Sequence, residues 1–172
     1  MGWVFHLATV VAIASTAMVI LELDAVHALL YLIVSLFSVA VIFFTLGAVF
    51  VAALEVIIYA GAIMVLFVFV IMMLNLGPRA KDQERRWVQG SFWAGPAVLA
   101  LLLVAELTYS LVHAGSRLPM TRVVDSKQVG IALFGPYLVG VELASLLLLA
   151  GLIGAYHLGR SQDPARRREE VS

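Results

Sequence analysis

AALEVIIYAGAIMVLFVFVIMMLN, residues 52–75, places one charged side chain, Glu55, inside an otherwise apolar or uncharged run. The run extends in both directions: between Ala28 and Pro78 no other charged residue occurs. A hydrocarbon core of about 30 Å is crossed by roughly 20 apolar residues of helix, so this stretch is long enough for two crossings. An acid inside a crossing is costly unless it faces protein or water, and such acids mark proton or ion pathways. The blander reading puts Glu55 one or two turns from the surface, with its carboxyl reaching the headgroup layer.

Composition agrees with a membrane setting. The 172 residues are 63% hydrophobic and 13% charged, with a mean hydropathy of +1.04. That leaves too little polar surface for a soluble shell. The expected fold is all-α: a polytopic membrane domain over 1–159, followed by a charged tail over 160–172. Hydropathy predicts five spans, Trp3–Leu21, Val26–Leu46, Val49–Leu76, Ser91–His113 and Phe134–Leu158. Leu46-Gly47-Ala48 is the turn between the second and third. Gly77-Pro78 ends the third, because glycine caps helices and proline cannot continue them. Gly95-Pro96 is expected near the start of the fourth, where a missing N–H costs least. The first span lacks the basic n-region of a secretory signal and reads as retained.

Charge sets an expected orientation. Arg117, Arg122 and Lys127 fall on the side of the N-terminus; Arg79, Lys81, Arg85, Arg86, Arg160, Arg166, Arg167 and Arg168 fall on the other. The positive-inside rule places the N-terminus outside and the C-terminus in the cytoplasm. A net charge of zero and basic residues confined to loops and tail give no sign of nucleic-acid binding. The chain has no cysteine, which removes the thiolates that hold ordinary iron–sulfur clusters. Electrons in any associated redox reaction are therefore expected on partner subunits.

The third span is the longest. As an ideal helix Val49–Leu76 would measure about 42 Å, so it must tilt, protrude or leave regular α geometry. Glu55 and Tyr59 are four apart, hence on one face. Ala60, Gly61 and Ala62 form a neck of little side-chain volume, either a packing notch or a place where the backbone deforms. Glu142, early in the fifth span, is expected at a depth similar to Glu55. Gly140, Ala144, Gly151 and Ala155 form a small-residue seam on that span. Glu106 in the fourth span has no evident role beyond pairing with a neighbouring subunit. Glu22, Asp24 and His27 read as a wetted turn, and Asn75 as a cap of the third helix. His6, His27, His113 and His157 all lie at span ends, which argues against haem held within the membrane.

Three runs carry a family resemblance: VHALLYLIVSL (26–36), ALEVIIYAGAIMVLFVFVIMMLNLG (53–77) and VGIALFGPYLVGVELASLLLLAGLIGAYHLGR (129–160). They resemble the subunit J family of bacterial NADH–quinone oxidoreductase, respiratory complex I, whose mitochondrial counterpart is NADH dehydrogenase subunit 6. The resemblance implies a non-redox subunit of the membrane arm of a proton pump in the bacterial inner membrane. FMN, iron–sulfur clusters and quinone would then belong to partner subunits, and none to this chain. The implied neighbours are the quinone-binding membrane subunit, subunit K and the antiporter-like subunits. The resemblance also implies an α-to-π change at Tyr59-Ala60-Gly61-Ala62, continuing to Val65 and Phe67. Glu55, Tyr59 and Glu142 then become candidates for a proton path, and the neck a candidate switch. Alternatives are a related subunit of a multisubunit cation/proton antiporter or membrane-bound hydrogenase, a self-contained small transporter, and a structural spacer.

Overall fold

The computed structural model describes residues 2–73, 90–117 and 123–160. The expected stop at Gly77-Pro78, the Asn75 cap and the tail beyond Arg160 lie outside these residues, as do most of the loop cations. The described residues are helical throughout, with no strand. Two units are described separately, divided after Asp125.

The first unit contains α1 (Gly2–Leu21), α2 (Ala25–Thr45), α3 (Val49–Met73) and α4 (Gly90–Arg117). α1 and α2 form a hairpin that supplies most of the core, with α4 against both and α3 packed along α2. The interior is thin: Val11, Val34 and Leu103 bring α1, α2 and α4 together. Away from water, polar groups must be satisfied within the protein, and the hydroxyls show it. Ser15 donates to the Val11 carbonyl at 2.6 Å and Ser38 to that of Val34 at 3.0 Å. Thr16 and Ser35 share a hydrogen bond of 2.8 Å across the α1–α2 seam.

Each turn has a specific chemistry. Asp24 caps α2, its Oδ1 accepting from the amides of Val26 at 2.9 Å and His27 at 3.2 Å. His27 Nδ1 in turn lies 3.2 Å from Glu22 Oε1. The expected wetted turn is therefore a structured cap with a partly buried Glu22–His27 contact, because the unsatisfied N-terminal amides of α2 need acceptors there. At the far end of α2, Gly47 has φ 82°. The Gly47 amide donates to the Phe44 carbonyl and the Ala48 amide to that of Phe43, both at 3.0 Å. This is the paired-bond glycine cap that ends helices in the left-handed conformation. The Gly47 carbonyl then accepts from the Val124 amide at 3.0 Å.

α4 corrects one expectation. It begins at Gly90, so Pro96 lies inside the helix rather than in its first turn. There it cannot supply the N–H that the carbonyl four residues earlier would accept. Gly95, just before it, accommodates α2: a Cβ at that position would run into the Tyr31 hydroxyl.

The second unit contains α5 (Ser126–Leu133) and α6 (Leu138–Gly159). The fifth span begins at Leu138 and not at Phe134, because the chain turns at Gly135-Pro136. A Cβ at Gly135 would lie 2.7 Å from the Ile131 carbonyl oxygen, closer than any side chain tolerates. Among the described residues, five helices are thus long and apolar enough to cross a membrane.

The caps yield a prediction for stability. Gly47→Ala forces a Cβ into the left-handed region and should cost about 1–2 kcal/mol. Asp24→Ala should cost about 1 kcal/mol through lost capping. Thermal denaturation of the detergent-solubilised assembly checks both, and an unchanged midpoint for Gly47→Ala would contradict the cap geometry.

Candidate functional site

α3 is not one regular helix. It is α-helical over Val49–Leu54, π-helical over Glu55–Ile63 and α-helical again over Met64–Met73. The π segment, with its i→i+5 bonds, begins at Glu55 and contains Tyr59, Ala60, Gly61 and Ala62, while Val65 and Phe67 lie in the α-helix beyond it. π turns occur mostly as insertions at functional sites.

Packing explains what holds this geometry in place. Ala52 and Met64 are the buried residues of α3, and Met64 is 1% exposed. No residue of the π segment between them is buried. In a regular α-helix, positions 52 and 64 would be about 120° apart around the axis. Absorbing one extra residue in wider turns reduces this to about 20°. Both side chains can then face α2, which packs along all three parts of α3. The π segment is therefore fixed at its two ends and loosely packed in its middle.

Gly61 is the tight point of the segment. A Cβ there would stand 3.2 Å from the Val56 carbonyl oxygen, five residues back, so the neighbour must yield if a side chain is added. This close approach is internal to the helix, and it gives the small neck a local reason beyond interhelical packing.

Glu55 is half-buried and no described side chain bonds to it, whereas Tyr59 is exposed. The two share a stretch of helix but make no hydrogen bond with each other. Val65 and Phe67 are exposed, as is nearly all of α3 beyond Met64. Glu142 belongs to the second unit, where it is exposed on α6. Among the described residues of its own unit nothing covers α6: its apolar window contains no buried residue, and a Cβ at Gly140 or Gly151 would meet open space.

Glu106 is placed where the sequence reading did not put it. It is 3% exposed, on the inner face of α4, with both carboxyl oxygens shielded. Its carboxyl lies against the backbone of Ala8 on α1. Within the described unit, that burial turns it towards α1 and away from the surface. The signal was present in the spacing of Leu99, Leu103 and Glu106, which sets all three on one helical face. The Glu22–His27 pair was also missed, since side chains five apart at a helix start meet only once the cap is formed.

Comparison with known proteins places these features in a family. Residues 15–158 match the family model described as NADH-ubiquinone/plastoquinone oxidoreductase chain 6. NADH-quinone oxidoreductase subunit J of Pseudomonas aeruginosa is 56% identical over 162 residues, 93% of this chain and 97% of the relative. The protein of the same name from Escherichia coli K12 is 49% identical over 181 residues, covering 99% and 98% of the two chains. That of Buchnera aphidicola from Baizongia pistaciae is 37% identical over 161 residues, 93% of this chain and 98% of the relative. With a family match over residues 15–158 and relatives at this identity, the chain belongs to the NADH-ubiquinone/plastoquinone oxidoreductase chain 6 family, alongside the bacterial subunits J.

Proposed function

We propose that this chain is a non-redox subunit in the membrane arm of a proton-pumping NADH–quinone oxidoreductase, where α3 helps couple quinone reduction to proton movement. The observation that carries the reading is a π segment beginning at the unpaired acid Glu55, held at both ends and loose between them. Such a segment can convert to regular α-helix by releasing its extra residue. That conversion turns everything beyond it by about 100° relative to the part before. Val65 and Phe67 would move with it, so bulky side chains would enter or leave a water path beside Glu55.

In this reading Glu55 and Tyr59, with Glu142 from α6, contribute polar groups to the axis between the quinone site and the pumping subunits. Ala60, Gly61 and Ala62 form the deformable neck. A carboxyl that is only half-buried and unpaired is suited to exchange protons with ordered water or with a group on an adjacent subunit. The open faces of α3 and α6 suit docking between the quinone-binding membrane subunit, subunit K and the antiporter-like subunits. FMN, the iron–sulfur clusters and quinone reside on partners. The chain has no cysteine with which to hold a thiolate-ligated cluster. The charge distribution supports the N-terminus outside and the C-terminus inside the bacterial inner membrane.

Glu55→Gln keeps size and hydrogen bonding but removes proton exchange. In the assembled enzyme it should lower proton pumping or coupled turnover by roughly tenfold or more. Unaltered rate and proton-to-electron ratio in an intact variant would exclude the coupling role. At the neck, Gly61→Val should impair turnover more than Gly61→Ala, because a branched side chain presses harder on the Val56 carbonyl. Equal, wild-type activity in both variants would show that the π segment does not need to move.

A further inference from the structure

We propose that the turn between α1 and α2 is a plug, seated in an apolar socket of a neighbouring protein subunit whose rim carries Lys or Arg. The inference rests on the reading of this chain as one subunit of a larger enzyme. It does not depend on any role of Glu55 or of the π segment.

The turn is built inside out. Residues 20–24 read Ile-Leu-Glu-Leu-Asp. A turn at the end of a helical hairpin ordinarily shows its polar side chains and covers its apolar ones. Here the two acids are drawn back towards α2. Glu22 Oε1 lies 3.2 Å from His27 Nδ1, and Asp24 Oδ1 accepts from the amides of Val26 and His27. Leu23, set between them, is left facing away. It is 101% exposed, as open as in an isolated peptide, with Ile20 at 79% and Leu21 at 70%. Three large apolar side chains thus stand at the tip of the hairpin, with two partly exposed acids beside them.

Depth and charge decide what covers this tip. The 20 residues of α1 rise about 30 Å, which already crosses the hydrocarbon core. Leu23 follows that helix and therefore stands at the level of the lipid headgroups. Turns that meet headgroup phosphates favour Lys and Arg, yet this one has two acids, and no Lys or Arg precedes Arg79. Glu22 also adjoins the C-terminal end of α1, the negative pole of the helix, where the last turn contains no base. A lipid surface is thus the wrong partner in both respects: it would leave Leu23 among polar headgroups and set acids against phosphate. Within the chain, the stretch Arg79–Arg86 offers positive charge but, apart from Ala80, no apolar side chain to cover a leucine. A protein socket with an apolar floor and a basic rim supplies both requirements.

Photo-cross-linking in native membranes tests this. Leu23→p-benzoylphenylalanine places the reactive group on the most exposed side chain of the turn, where the fold of the chain itself makes no use of the leucine. After irradiation, extraction and digestion, mass spectrometry should find the label joined to a peptide of another subunit of the enzyme, at a site with Lys or Arg nearby. Adducts to lipid, adducts to residues 74–89 of this chain, or no protein adduct at all would overturn the proposal while leaving subunit membership intact. Should that variant not enter the complex, the same label at Leu21 gives the same reading and is judged by the same outcomes.

Discussion

In lipid, every polar group must find its partner within the protein, and the rest of this structure follows from that constraint. Most of the helix hydroxyls described turn back to their own carbonyls, and across the α1–α2 seam Ser35 meets both the Thr16 hydroxyl and the Ala12 carbonyl that Thr16 also bonds. Asp24 and Gly47 satisfy the amides and carbonyls at the two ends of α2, where the helical ladder runs out. Where the constraint is relaxed, it is relaxed at named places: Pro96 inside α4, the wide turns of α3, and the two acids Glu55 and Glu106. Those are the positions at which a purely structural account of the subunit is incomplete.

α2 has a central place because it is the common support of α1, α3 and α4. It packs along all three parts of α3, whose buried residues are Ala52 before the π segment and Met64 after it. A helix pinned at two points along one rigid neighbour has few ways to change. It can move as a whole, losing both contacts, or it can alter its winding between them. The π segment makes the second route local, since converting it disturbs a stretch with no buried side chain. The penalty falls instead on Met64, whose packing against α2 depends on the extra residue being absorbed. The same contact that stabilises the π form thus sets the energy needed to leave it.

The spans were legible from the sequence because their signal is hydropathy summed over about twenty residues, which local detail hardly perturbs. The Leu46-Gly47-Ala48 turn was legible for a similar reason: a glycine in a long apolar run has few other uses. The misplaced fifth-span start and the internal Pro96 show the limit. Both concern single turns, where the Ile131 carbonyl against Gly135 or the length of α4 before Pro96 decides the outcome. The π geometry came from resemblance, and composition alone left Gly61 as either notch or hinge. Glu106 was unreadable in isolation because its meaning lies in α1, which shows it Ala8 and no cation.

The two intramembrane acids of the first unit are treated in opposite ways, and that contrast bears on function. Glu55 stands at the start of a deformable segment, half-buried and unpaired, on a helix whose surface this chain leaves largely uncovered. Glu106 is packed against Ala8 in the tightest part of a thin core. A group that exchanges protons during turnover must meet water or another titrating group in each cycle. Of the two, Glu55 is the one that the packed helices of the described unit do not enclose. Glu106, by contrast, is enclosed in the α1–α4 seam. The first unit thus holds one acid walled in by packed helices and another at the start of the wide turns of α3, where the winding itself can change.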